Sequence, residues 1–235
     1  MLLDSKEIPH TLRKRYEFYD FNHAFDILNR SALDEWNEIL QVLDSFSLSI
    51  ADIKKEGGSK SEITKKFDAA LFDLGWRETK ISGELSITEQ YRGKRKGNYK
   101  VNKHDPFSFI DGHNIDFVKG IVAVDFEWNS KDQTYDRDLL AFRTYHESRL
   151  IDVGIIITRA KDLDDVFNSV YYRDKNKKIQ PIIKKYGKST TLIEKLLPRL
   201  SSRRNGGCPI LAIGINNKNV IDWTPGYVDP LIASE

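Results

Sequence analysis

Three dense apolar runs constrain the fold more than any other feature of this chain: Ile121–Trp128 (IVAVDFEW), Ile151–Thr158 (IDVGIIIT) and Pro209–Ile215 (PILAIGI). Runs with so little polar alternation belong to strands buried on both faces. Helical periodicity fills the gaps, in Asp136–Arg149 and in Thr191–Leu200, where Thr191-Leu192-Ile193-Glu194 has the form of a capping box. Strand, helix, strand, helix, strand is the order of an α/β domain whose central β-sheet is flanked by α-helices on both faces. The part before it reads as helical, over 21–30 and 32–46. In the second helix Leu33, Trp36, Ile39, Leu40, Leu43 and Phe46 form the stripe, with Ser31 as N-cap. After a break at Glu56-Gly57-Gly58-Ser59, Ser59 to Glu62 predicts a capping box opening a helix with Ile63, Phe67, Ala70, Leu71 and Leu74 inside, ended by Gly75. Leu85, Ile87 and Tyr91 predict a strand. With no clean linker, the expectation is a single domain over 1–235, its helical part about 15–75 and its α/β core about 76–222.

Within the first apolar run, strand parity puts Asp125 and Glu127 on one face and Val122, Val124, Phe126 and Trp128 on the other. A two-residue hairpin turn at Lys119-Gly120 would pair Asp116 with Ala123, on the same face as the two acids and roughly 5–6 Å diagonally from Asp125. Three close carboxylates repel one another, and a hard divalent cation with oxygen ligands removes that penalty. The plainer alternative is a solvated acidic edge with Lys119 as its salt-bridging partner; the apolar neighbours favour the buried strand.

The remaining composition excludes more than it assigns. There is no apolar window long enough to span a membrane and no secretory h-region, and the one cysteine, Cys208, allows neither an internal disulfide nor a cysteine zinc cluster. These features predict a cytoplasmic protein. There is no phosphate-binding glycine loop, no GxSxG elbow and no histidine pair at metal spacing. Net charge is only +2, but the cations are grouped: Arg92, Lys94, Arg95, Lys96, Lys100 and Lys103; then Arg173 to Lys188; then Arg203-Arg204. Each run alone is an ordinary solvated loop. Three of them around an acidic metal site favour a nucleic acid.

Asp116, nine residues before Asp125-x-Glu127 within IDFVKGIVAVDFEW, resembles the core of the PD-(D/E)xK nucleases in the variant used by BglII- and BstYI-like type II restriction endonucleases. The likeness extends to Phe21–Ala24 and Ile27–Asn29, Leu74–Glu78, Ile151–Gly154 and Leu211–Gly214, in order along most of the chain. It departs where relatives carry Glu at position 125 and Gln at 127, although both changes keep oxygen ligands. The resemblance implies a central mixed sheet. It also implies Mg²⁺ held by Asp116, Asp125 and the Phe126 carbonyl, with Glu127 as the water-activating or second metal-ligand group and Glu78 as a further acidic site residue. Asn129 and Ser130 would face base edges, with Lys131, Arg137, Lys119, Arg95, Lys96, Arg203 and Arg204 on phosphates. Asp132 or Asp136 would be a helix N-cap.

The implied activity is Mg²⁺-dependent cleavage of double-stranded DNA at a short palindrome by a homodimer, leaving 5′-phosphates, with a cognate DNA methyltransferase as genetic partner and no membrane role. Two readings stand beside it. One is a structure-directed repair or recombination nuclease on the same core, and the other is a catalytically inactive DNA-binding module.

Overall fold

The structure, a computed structural model, describes residues 2–55, 61–94, 97–187 and 189–233, without the side chains of 111–113. It divides into two compact units, residues 1–78 with 115–235, and residues 79–114. The helices are α1 (His10–Arg15), α2 (Ala24–Ser31), α3 (Leu33–Ser45), α4 (Ile50–Lys54), α5 (Glu62–Asp73), α6 (Thr134–Glu147), α7 (Leu163–Ser169), α8 (Ile193–Ser201) and α9 (Pro230–Ala233). The strands are β1 (Tyr16–Phe21), β2 (Arg77–Leu85), β3 (Thr88–Arg92), β4 (Tyr99–Lys103), β5 (Phe107–Lys119), β6 (Val122–Glu127), β7 (Val153–Arg159), β8 (Tyr171–Arg173), β9 (Ile179–Pro181) and β10 (Ile210–Ile215).

The three apolar runs are β6, β7 and β10, buried at every position. They lie side by side and parallel, and the central sheet runs β1-β10-β7-β6-β5-β2, with β1 and β5 antiparallel to their neighbours. The sheet is therefore mixed, and helices flank it as expected. On one face Val122, Val124, Phe126, Ile155, Ile157 and Ile213 join the core formed with α2 to α5 and α7. Phe126 anchors that side, stacked on Phe67 at 4.3 Å between ring centroids.

The other face is covered by α6. Tyr135 shares a hydrogen bond with Thr158 at 2.8 Å, and the Phe142 ring lies over Gly154, where a Cβ would come within 2.5 Å of it. That glycine lets the helix sit down on the sheet.

Several helix starts differ from expectation. Ser31 closes α2, and α3 begins after Ala32 with no side-chain cap; Leu33 is 49% exposed and stands off the stripe. Ser61, not Ser59, caps α5 by accepting the Thr64 N–H at 3.1 Å, and Ser59 lies outside the described residues. Gly75 ends α5 with φ +91°, as its place in the sequence predicts. Thr191 makes no cap, because its N–H and hydroxyl are used on the carbonyls of Ser130 and Glu127. Neither Asp132 nor Asp136 caps α6: the N-cap is Gln133, and Asp136 lies inside the first turn.

In the unit 79–114, β3 and β4 pair antiparallel as a two-stranded sheet, Tyr91 opposite Lys100. The strand expected through Leu85–Tyr91 is thus two, broken between β2 and β3. On one face of this ribbon the Glu89 carboxylate accepts from the Tyr91 hydroxyl, His104 and Asn102, which hold it down at about 2. Tyr99 and Val101 are exposed.

Candidate active site

In β6 the register with β7 sets Asp125 beside Ile156 and Glu127 beside Thr158. Thr158 is the residue bonded to Tyr135, so both acids face α6. Parity alone places them on one face; what it does not reveal is that a helix closes it. Asp125 is 4% exposed and Glu127 6%.

Asp116 arrives by the hairpin, but in a different register from the one expected. Lys119 pairs with Val122, Val118 with Ala123 and Phe117 with Val124, so the turn is Gly120-Ile121. Continued by one step, this register sets Asp116 opposite Asp125 itself rather than opposite Ala123. Two contacts explain the shift. The Lys119 ammonium is tied to Glu38 and to the Leu74 carbonyl at 2.8 Å, and Gly120 takes φ +53° against Glu35, where a Cβ would collide with the carboxylate. Beyond Phe117 the carboxylates take over the hydrogen bonding. The Asp116 N–H donates to Asp125 Oδ1 at 2.8 Å, and the Phe126 N–H points at Asp116 Oδ2 at 3.5 Å. Asp116 is exposed and forms the open side of the site.

A fourth carboxylate comes from α6. Asp138 is 3% exposed and takes two bonds on Oδ1 from Arg137, at 3.1 and 2.9 Å. Burial first, then Asp138, Asp116 and Glu127, push the Asp125 carboxyl well above its usual range, against the Asp116 N–H. Burial and then Glu127 push Asp138 up to about 8, with Arg137 pulling the other way. Sequence reasoning missed Asp138, yet a signal existed: it occupies the apolar stripe Tyr135, Leu139, Phe142, Tyr145 of its helix. A carboxylate there needs a reason.

The other expected residues scatter. Glu78 and Asp116 line one cavity of about 590 Å³ with Lys65, Phe72 and Trp76, so the two acids share an opening. Asn129 is exposed and borders another, of about 380 Å³, with Lys55, Lys175 and Lys185. Ser130 is half-buried, its carbonyl holding the Thr191 N–H; Lys131 is exposed, and so is Arg137 beside its bond to Asp138. Two cations are engaged inside the protein instead of being offered to phosphate. Lys119 is the hairpin's anchor, and Arg204 pairs with Asp136, as does Arg199 at 3.2 Å. Arg203 is exposed, with φ +58°. Arg95 and Lys96 lie outside the described residues.

The donors gathered here are all hard oxygens, the chemistry that suits Mg²⁺. Among the described residues no three acid, histidine or cysteine side chains already converge on one point that could hold an ion. One buried atom has room for a cation or a proton: Asp138 Oδ2 has no hydrogen-bond donor, and the Glu127 carboxyl is within reach of Asp138. By donor type and by that atom, the site fits a divalent ion.

A mixed α/β sheet flanked by helices, with acids from a hairpin meeting near its centre, is a restriction-endonuclease-like core. The family model described as restriction endonuclease BglII/BglIII matches residues 16–215. The chain belongs to the BglII restriction endonuclease family, which makes it a DNA-binding nuclease of the restriction type. No curated protein matches the chain. Among the described residues no helix is long and apolar enough to cross a membrane.

Proposed function

We propose that the chain is a type II restriction endonuclease that hydrolyses double-stranded DNA at a short palindromic site, as a Mg²⁺-dependent homodimer leaving 5′-phosphates. The observation that carries this is the hairpin, which sets Asp116 across from Asp125 with Glu127 two residues on, in a chain matching the family over 16–215. Asp116, Asp125 and the Phe126 carbonyl would hold Mg²⁺. When bound, the ion supplies charge neutralisation for the crowded acids and for the phosphate as it is attacked.

The chain's own residues do the rest. The Glu127 carboxylate would accept the proton of the attacking water; the Thr134 hydroxyl lies 3.4 Å from its Oε2 while donating to the Lys131 carbonyl at 2.7 Å. Burial between α6 and the sheet excludes bulk water from Asp125 and Glu127, while exposed Asp116 meets the substrate. Glu78 adds a further carboxylate at the rim of the same cavity. Asn129 and Ser130, just past the strand end, would read base edges, with Lys131 and Arg137 on the backbone phosphates. A two-fold dimer suits a palindrome, because each protomer then cuts one strand. A methyltransferase recognising the same site would protect the host's own DNA.

The test is digestion of unmethylated phage DNA with Mg²⁺ and, separately, with chelator. Discrete fragments that appear only with Mg²⁺ are the expected result. A smear would replace this reading with a nonspecific or structure-directed nuclease. Intact DNA that still shifts on a native gel would replace it with a binding module.

A further inference from the structure

Asp138 has no part in the mechanism above, and packing does not explain it. Three buried side-chain atoms among the described residues lack a hydrogen-bond partner: Trp36 Nε1, Asn205 Oδ1 and Asp138 Oδ2. The first two belong to groups that do not ionise; Asp138 is a carboxyl, which either a proton or a cation can satisfy. Its other oxygen is fixed by two bonds from Arg137, and the Glu127 carboxyl lies within hydrogen-bond reach of Asp138, so the two carboxyls need a proton or a cation between them. Taken together, Asp116, Asp125, Glu127 and Asp138 are four acids, of which burial and then the neighbouring acids push Asp125 and Asp138 up, and Arg137 pairs with Asp138.

We infer that Asp138 and Glu127 take a divalent cation between them, a hard oxygen-seeking ion such as Mg²⁺ or Mn²⁺, so that Asp138 is a fourth working carboxylate of the site. The inference rests on reading the site as a divalent-cation nuclease centre. Two protein carboxylates completed by water form the kind of coordination shell that Mg²⁺ accepts. Arg137 orients Asp138, so that ligand is held before the ion arrives. One oxygen of Glu127 remains for the attacking water.

The test is Mn²⁺ binding to the full-length chain, followed by electron paramagnetic resonance and calorimetry, in wild type and Asp138→Asn. Asparagine keeps the shape and an acceptor for Arg137 but removes the charge. Mn²⁺ affinity in at least one class of sites is expected to fall about tenfold or more, while the cation-free melting temperature stays level or rises. Wild-type affinity in the variant overturns the inference, and so does a lowered melting temperature with affinity intact, which is what a purely structural Asp138 would give. Should Asp138→Asn not fold, Glu127→Gln decides by the same measure: lost affinity supports the pair and retained affinity overturns it. A DNA digest keeps the two readings apart. Cleavage lost with Mn²⁺ affinity unchanged overturns the cation pair and leaves the nuclease standing. Mn²⁺ affinity lost in a chain that never cuts DNA supports the pair and removes the nuclease.

Discussion

Replacing Asp125 by asparagine is expected to have two effects of opposite sign. Cleavage with Mg²⁺ should fall about a thousandfold or more, because a ligand charge at the reacting centre is gone. Without cation the folded protein should gain stability, of order 1 kcal/mol, because a buried carboxylate among three others is costly to keep charged. Single-turnover cleavage and thermal melting in chelator read the two effects separately, and an active Asp125→Asn would remove this residue from the site. Burial, with the neighbouring acids behind it, also predicts a pH dependence. Asp138 titrates at about 8 in the folded chain against about 3.9 unfolded, and Asp125 is raised in the same direction. Between those values the folded state binds more protons than the unfolded state, so unfolding free energy falls as pH rises. The stabilisation is complete below about pH 4 and is lost on the way to about pH 8. Melting temperature in chelator should therefore decline from pH 5 to pH 8, and the decline should be shallower in Asp138→Asn. A flat wild-type profile would mean that neither burial nor the neighbouring acids raises these two carboxyls.

At the level of elements, the contact that matters most to the site is α6 on the sheet at Gly154. A methyl group there would lie 2.5 Å from Phe142 Cδ1 and 2.7 Å from Ile210 Cδ1, so Gly154→Ala has to lift the helix or shift both side chains. The expected cost is about 1–3 kcal/mol, with slower cleavage even where the protein is folded, since α6 carries Asp138 and closes the face of Asp125 and Glu127. Melting curves and single-turnover rates check both effects; a stable variant of full activity would show that this seating is not needed. The same region marks what the sequence could and could not reveal. Strands β6, β7 and β10 were legible because an apolar run is a local signal, and so was the shared face of Asp125 and Glu127, because parity is local too. The hairpin register was not. Lys119 leaves the turn to reach Glu38 and Leu74, residues brought near only by folding, and the turn moves by one residue. Parity survives such a shift, so Asp116 kept its face and changed its partner. What covered that face lay beyond any pattern within the strand, although Asp138 in an apolar stripe was a clue on α6. Helix starts failed for a related reason: Thr191 has the right type for a cap but is used by Ser130 and Glu127 from another element.

For the molecule as a whole, a net charge of +2 gives little general attraction to a polyanion, so DNA affinity must come from where the cations stand. Arg204 and Lys119 are already engaged inside the protein, which leaves the ribbon of β3 and β4 as a principal candidate. Among the described residues its strands pair with each other as a two-stranded sheet, and Arg92, Lys100 and Lys103 are exposed along them. Replacing 87–104 by a short Gly-Ser linker is therefore expected to leave the melting temperature of the chain nearly unchanged. The same replacement removes six basic residues, Arg92, Lys94, Arg95, Lys96, Lys100 and Lys103. Each phosphate contact contributes close to one unit to the slope of log affinity against log salt, so the slope should become shallower by up to about 5 units if all six touch the backbone. The loss should be similar on any sequence, because phosphate contacts position a protein without reading bases. Binding isotherms at several salt concentrations, on specific and random duplexes, measure this. An unchanged slope would put these cations in solvent in the complex and move the DNA to the lysines of 175–185. A loss confined to the specific duplex would make the ribbon a reader of bases.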